Sequence, residues 1–151
     1  MKTLASVLAV VFLMVAPLSA SADDATVEEL VNKGVALWKE KGKDYTLKVV
    51  NASAGPLRRG SLYVFACDFK GKILAHPAQK DLVGVDQWEL QDAKGRFLTQ
   101  EFIKAAKSPE GFGWVDYDWM RVNESTPTPK RAFIKRVPGE DIFLGCGYYK
   151  K

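Results

Sequence analysis

The spacing of apolar residues changes character near Gly55-Pro56, and that switch restricts the fold more than any other feature of the chain. Before it, Val27, Leu30, Val31, Val35, Leu37 and Trp38 recur mostly at helical spacing, which predicts an amphipathic helix over 26–41. Thr26 and Glu29 read as a capping box at its start, and Gly42 reads as its stop. Residues 44–51 read as a shorter second helix, with a strand as the alternative. Beyond the switch, the runs 61–68, 72–76, 112–120, 130–137 and 141–149 are short and rich in aromatic and β-branched residues. Asp68-Phe69-Lys70-Gly71 has the composition of a hairpin turn, with Gly71 free to take a positive φ. Thr126-Pro127-Thr128-Pro129 and Pro138-Gly139 separate the last three strands. One further helical pattern, 95–107, carries Phe97, Leu98, Phe102, Ile103, Ala105 and Ala106. Sequential strands joined by short turns form an antiparallel sheet, so the class is α+β, with the helices expected on one face.

The first residues belong to a different kind of segment. Lys2 precedes an apolar run over 4–15; Pro17 breaks it, and Ala20-Ser21-Ala22 is a small-x-small cleavage site. This is the pattern of a secretory signal peptide over 1–22. The apolar run is roughly a dozen residues, short of the ~20 that span a bilayer. No Cys follows it to carry a lipid anchor, and no later segment is long and apolar enough to span. The expectation is one periplasmic or secreted domain over 23–151, with no membrane insertion after cleavage. At this size one apolar core suffices without disulfide staples.

Charge and composition then narrow the chemistry. The chain has 22 basic and 18 acidic residues, and the bases are scattered among acids, which argues against a nucleic-acid partner. Cys67 and Cys146 both lie in strand-like runs. In an oxidising compartment such a pair forms either a disulfide or two buried thiols, and the sequence leaves both open. There is no CxxC, no haem-attachment motif and no zinc spacing, and with His76 as the single histidine a His-rich metal site is excluded. No GxSxG, P-loop or GxGxxG motif is present, and no nucleophile has a base at supporting spacing, so the chain does not read as an enzyme and no cofactor is implied. Asp116 and Asp118 share one face of a strand and read as a solvated face. On the opposite face of that strand stand Gly113, Val115, Tyr117 and Trp119. Their rings either make core or form a wall whose polar handles meet a small ligand. Lys130, Lys135 and Arg136 lie near the next strand's ends; a lysine beside such rings is a natural carboxylate anchor, although any one of them also reads as a surface cation.

The ordered motifs resemble the single Cache domain of bacterial extracellular sensors. Tyr63, Val64 and Phe65 are followed by Asp68 and Gly71, by Leu74-Ala75-His76-Pro77 and by Leu82-Val83-Gly84. Next come Leu90, Asp92 and Gly95, then Ala105-Ala106-Lys107, then Gly113-Trp114-Val115 with Tyr117 and Trp119. Pro129-Lys130, Phe133-Ile134-Lys135 and Gly145-Cys146-Gly147-Tyr148 complete the set, which covers the chain from about Thr26 to Tyr149. The resemblance implies a long N-terminal helix packed on a PAS-like five-stranded antiparallel sheet. It also implies a small-molecule ligand, often a short carboxylate, held between the sheet and the segment crossing it. Carried over position by position, the ligand-binding residues are Tyr63, Phe65, His76, Trp88, Tyr117, Trp119 and Lys130. Lys130 is the expected counter-ion, Tyr117 and His76 the donors, and Tyr63, Trp88 and Trp119 the shape of the apolar end; Asp92 and Gly95 are expected to form a turn. Family members usually continue into a transmembrane helix, whereas this sequence stops at Lys150-Lys151. The expectation is therefore a soluble binding module that either acts as a free ligand binder or signals through a separate membrane sensor. The alternative is an interaction or structural protein with a vestigial pocket that partners such a sensor.

Overall fold

A computed structural model describes residues 22–121 and 123–150. The apolar run and nearly all of the expected signal peptide lie outside the described residues. Helix α1 (Ala22–Lys41) is followed by α2 (Lys43–Asn51), which settles that segment as helix. Val27, Leu30, Val31 and Trp38 form the buried stripe of α1. Thr26 and Glu29 both fall inside this helix, so the capping box is not its start; Asp23 and Asp24 instead place negative charge in the first turn, where the helix dipole favours it. Gly42 ends α1 at φ +83°, its N–H bonded to the Trp38 carbonyl at 2.9 Å, and its own carbonyl accepts from Thr46 Oγ1.

The strands are β1 (Arg58–Arg59), β2 (Leu62–Asp68), β3 (Ile73–Ala75), β4 (Phe112–Met120), β5 (Pro127–Arg136) and β6 (Ile142–Tyr149), with α3 (Leu98–Ala106) before β4. Five of them form an antiparallel sheet in the order β3-β2-β6-β5-β4, and the two-residue β1 pairs with the start of β2. The β2–β3 turn forms as its residues dictate. The Asp68 carboxylate accepts from the N–H groups of Lys70 and Lys72, both at 2.9 Å, and Gly71 takes φ +93°. Strand β5 starts three residues earlier than expected, at Pro127. In the alternating ladder Pro127 and Pro129 turn their nitrogens away from β4, beyond the paired length of β6, where no donor is required.

The helices do not share one face. Val64, Ala66, Phe133, Leu144 and Cys146 point from the sheet toward α1 and α2, while Cys67, Val115, Tyr117, Ala132, Ile134 and Phe143 point toward α3. Both faces of each central strand are therefore apolar, and each needs its own cover. Close approach of α1 depends on Gly34, where a Cβ would lie 2.8 Å from Leu144 Cδ1. The same alternation decides the cysteines. Cys146 is opposite Val64 and Cys67 is opposite Phe143, so the two thiols are three positions out of register and project to opposite faces. The disulfide is not formed; both are buried free cysteines.

Candidate ligand-binding site

Residues 76–97 form a strap across the α3 face of the sheet. Backbone bonds fix it to the β2–β3 hairpin: Ile73 N–H to the Val85 carbonyl at 3.0 Å, Gly84 N–H to Ile73 at 2.8 Å and Gln87 N–H to Gly71 at 2.8 Å. Only glycine fits at position 71, because a Cβ there would meet the Trp88 backbone nitrogen at 2.9 Å. At the other end, the buried Asp92 carboxylate accepts from the N–H groups of Lys94 and Arg96 and from Arg96 Nε. This is the expected turn, with Gly95 at φ +77°. Arg96 Nη2 then reaches the Asp116 carbonyl at 2.7 Å, tying the strap to β4. Burial pushes the Asp92 carboxyl up, but the Arg96 and Lys94 N–H groups and the Arg96 guanidinium outweigh it and hold the carboxyl below the usual range.

Beneath the strap lies a cavity of about 90 Å³, several times the ~10–15 Å³ that admits one water. Its floor is a set of three rings, Phe65, Phe102 and Phe143, with centroids 5.9–6.1 Å apart. Its polar rim is Tyr63, His76, Tyr117 and Lys130, with Trp119 and Thr99 beside them. Gly147 of β6 also borders the space, and a Cβ there would lie 2.9 Å from the Arg131 carbonyl.

The electrostatics of the rim follow from burial. Lys130 lies across β4–β5 from Tyr117, with its Nζ 4.7 Å from the Tyr149 ring centroid. Among the described residues no carboxylate pairs with it, and burial lowers its pKa to about 8. Burial, and then the charge of Lys130, lowers the His76 pKa to about 4, so the imidazole is neutral at pH 7. The backbone N–H of Gln79 donates to His76 Nδ1 at 2.9 Å, which leaves the proton on Nε2. Tyr63 is pushed up to about 12 and Tyr117 well above its ordinary value, both chiefly by burial, so both stay protonated donors. Burial also pushes the Cys67 thiol, which borders the cavity, upward and away from reactivity.

Six of the seven positions singled out from the sequence, Tyr63, Phe65, His76, Tyr117, Trp119 and Lys130, border this one cavity. Trp88 does not. Its side chain is 41 % exposed, and its backbone instead carries the strap, donating to Asp86 Oδ1 and accepting from Gln100 Nε2. Its neighbours Gln87 and Leu90 face the cavity in its place. Sequence reasoning also passed over Phe102 and Phe143. Both were visible as apolar positions of an amphipathic helix and a strand, but nothing in their spacing separates a cavity floor from solid core. Asp116 and Asp118 are engaged in ion pairs with Lys150, Arg131 and Lys94, as a solvated face would be.

A long helix on one face of a five-stranded antiparallel sheet, with a strap enclosing a pocket on the other, is the PAS-like architecture of sensor domains. Residues 25–151 match the family described as single Cache domain 2, and the chain belongs to that family. Among solved structures, it is similar to the periplasmic sensor domain of a chemotaxis protein, with 25% identity and a TM-score of 0.66 over 84% of this chain and 90% of that one. A methyl-accepting chemotaxis protein from Vibrio parahaemolyticus aligns with a TM-score of 0.68 at 21% identity, covering 83% of this chain and 86% of that one. A Cache chemosensory domain described for its carboxylic acid recognition aligns with a TM-score of 0.65 at 22% identity, covering 84% and 88%. The protein is thus a Cache sensor domain similar to those of chemotaxis receptors. Among the described residues no helix is long and apolar enough to cross a membrane.

Proposed function

We propose that this Cache domain is exported and binds a short carboxylate in the cavity under the strap, with Lys130 as its counter-ion. The observation that carries this reading is Lys130 itself: a cation at the edge of the pocket under the strap, depressed in pKa by burial, with no carboxylate partner among the described residues. A buried charge is costly unless paired, and a ligand carboxylate supplies the missing charge. Tyr63 and Tyr117 add neutral donors, and the phenylalanine floor accepts a short carbon chain. The carboxylic acid recognition described for one structural neighbour agrees with this. The signal-peptide pattern over 1–22 supports export.

The test is a thermal-shift screen of acetate, propionate, pyruvate and their neutral amides. A ligand at about 100 times its Kd adds about 2.7 kcal/mol to the folded state, an easily read shift. The carboxylates should raise the melting temperature, the amides should not, and Lys130→Met should abolish the response. Equal responses to acids and amides, or none to any acid, would reject the reading.

A further inference from the structure

We propose that the free edge of β4, beside α3, is a docking site for a short, extended, acidic segment of a partner protein, which adds to the sheet as one more strand. The site lies outside the cavity and does not depend on what the cavity binds.

Strand β4 ends the sheet and is paired with β5 alone. The Arg136 N–H donates to the Gly111 carbonyl at 2.8 Å. By alternation, Phe112, Trp114 and Asp116 then turn their backbone N–H and C=O groups away from β5, toward the open edge. Two of these three carbonyls are already taken. Ser108 Oγ donates to the Phe112 carbonyl at 2.8 Å, and Arg96 Nη2 donates to the Asp116 carbonyl at 2.7 Å. The Trp114 carbonyl and the three N–H groups have no partner among the described residues. The two caps therefore leave an edge rich in donors, three N–H groups against one carbonyl, which calls for a partner rich in acceptors. They also set the register: Trp114 alone keeps both groups open, so it forms the central rung.

A groove runs along this edge, and its charge points the same way. Gly113 lets α3 close onto the strand, since a Cβ there would lie 3.2 Å from Ala105 Cβ. Ile103, Lys104 and Lys107 line the groove from the helix side, and Phe112, Trp114 and Val115 line it from β4. Neither lysine has an ion pair among the described residues, although Lys107 Nζ rests 5.0 Å from the Phe69 ring centroid; the one carboxylate in the groove is Glu101. An added strand alternates its side chains between the two faces of the sheet. Its residue opposite Trp114 shares the face of that indole and of Phe112, where an apolar side chain packs. Its two neighbours lie on the α3 face, the side of Lys104 and Lys107, where carboxylates fit. A second copy of this chain fits less well. Two β4 edges paired about Trp114 set Asp118 opposite Glu110 twice over, and like charges directly opposite are destabilising. The Ser108 and Arg96 caps of both copies would also meet in that register. A short acidic segment meets neither obstacle.

The probe is the end-blocked peptide Val-Glu-Val-Glu-Val, titrated into ¹⁵N-labelled protein. The backbone amides of Phe112, Trp114 and Asp116 should shift and exchange more slowly as it binds. N-methylation of the central valine removes the donor for the Trp114 carbonyl and should weaken binding about tenfold. The peptide Val-Lys-Val-Lys-Val should bind about tenfold more weakly as well, and Lys104→Glu should reverse the order of the two. Because the peptide variants leave the protein untouched, they decide the matter even where Lys104→Glu does not fold. No shift at millimolar peptide, shifts confined to other residues, or equal binding of the N-methylated or lysine peptide would overturn the proposal. Protection of the Trp114 amide that grows with protein concentration alone would assign the edge to a second copy and overturn it too.

Discussion

Lys130→Met should make the ligand-free protein more stable at neutral pH, and the gain should disappear in alkali. Burial depresses the Lys130 pKa from 10.5 to about 8. At 1.36 kcal/mol per pH unit this corresponds to about 3 kcal/mol. Below pH 8 the ammonium is charged in both states, and the folded state bears the full cost of its desolvation. Between about pH 8 and 10.5 the folded state gives up the proton while the unfolded chain retains it. The unfolded state then binds more protons, so this group's contribution to stability rises with pH, and its cost falls to roughly 1 kcal/mol by pH 10. Tyr63 and Cys146, each raised to about 12, act in the opposite direction at high pH, but equally in both proteins. The difference between them isolates Lys130, and methionine preserves most of the apolar stem that lies beside Tyr149. Urea denaturation followed by tryptophan fluorescence at pH 7, 8, 9 and 10 measures it. The variant should be more stable by about 3 kcal/mol at pH 7, with the difference narrowing to roughly 1 kcal/mol at pH 10. A difference that stays constant over this range would show that Lys130 is not desolvated.

Three further outcomes follow from the packing. Gly145→Val would place a Cβ 2.6 Å from Phe65 Cζ; the expected cost is about 1–3 kcal/mol in urea denaturation, with weakened carboxylate binding as the Phe65 ring is driven into the cavity. Denatured protein without reductant should give two reactive thiols per chain in a thiol titration, from Cys67 and Cys146; none would contradict their placement on opposite faces. Asp92→Ala leaves the N–H groups of Lys94 and Arg96 without their acceptor and should cost roughly 2–3 kcal/mol. The Asp92 contribution is present at neutral pH and is lost as pH falls below 3.8 through the lowered folded value, so the unmodified protein and the variant should converge in acid denaturation.

Much of this fold was legible because local chemistry and tertiary structure agree. Asp68 and Gly71 fix their turn through bonds within four residues, and the 112–120 run emerged as β4 with its expected limits. What was not legible depends on which surfaces meet. The face covered by α3 could not be told from that covered by α1, since both are apolar on central strands. The cysteine pair was undecided because parity matters only once the β2–β6 register is known. Trp88 was misplaced for a related reason: a strap has no period to say which side faces in, and its backbone ties to Gly71 turn that ring outward. Tyr63, His76 and Lys130, which border the cavity, were singled out through family motifs, whereas the lock that Gln79 places on the imidazole rests on a backbone N–H that no side-chain pattern reveals.

Whether a carboxylate occupies the cavity on Lys130 is seen in a crystal structure of the protein grown with pyruvate. A carboxylate oxygen should lie about 2.7–2.9 Å from Lys130 Nζ, with the rest of the molecule over Phe65 and Phe102. Water alone in the cavity at saturating pyruvate, or pyruvate bound away from Lys130, would contradict it.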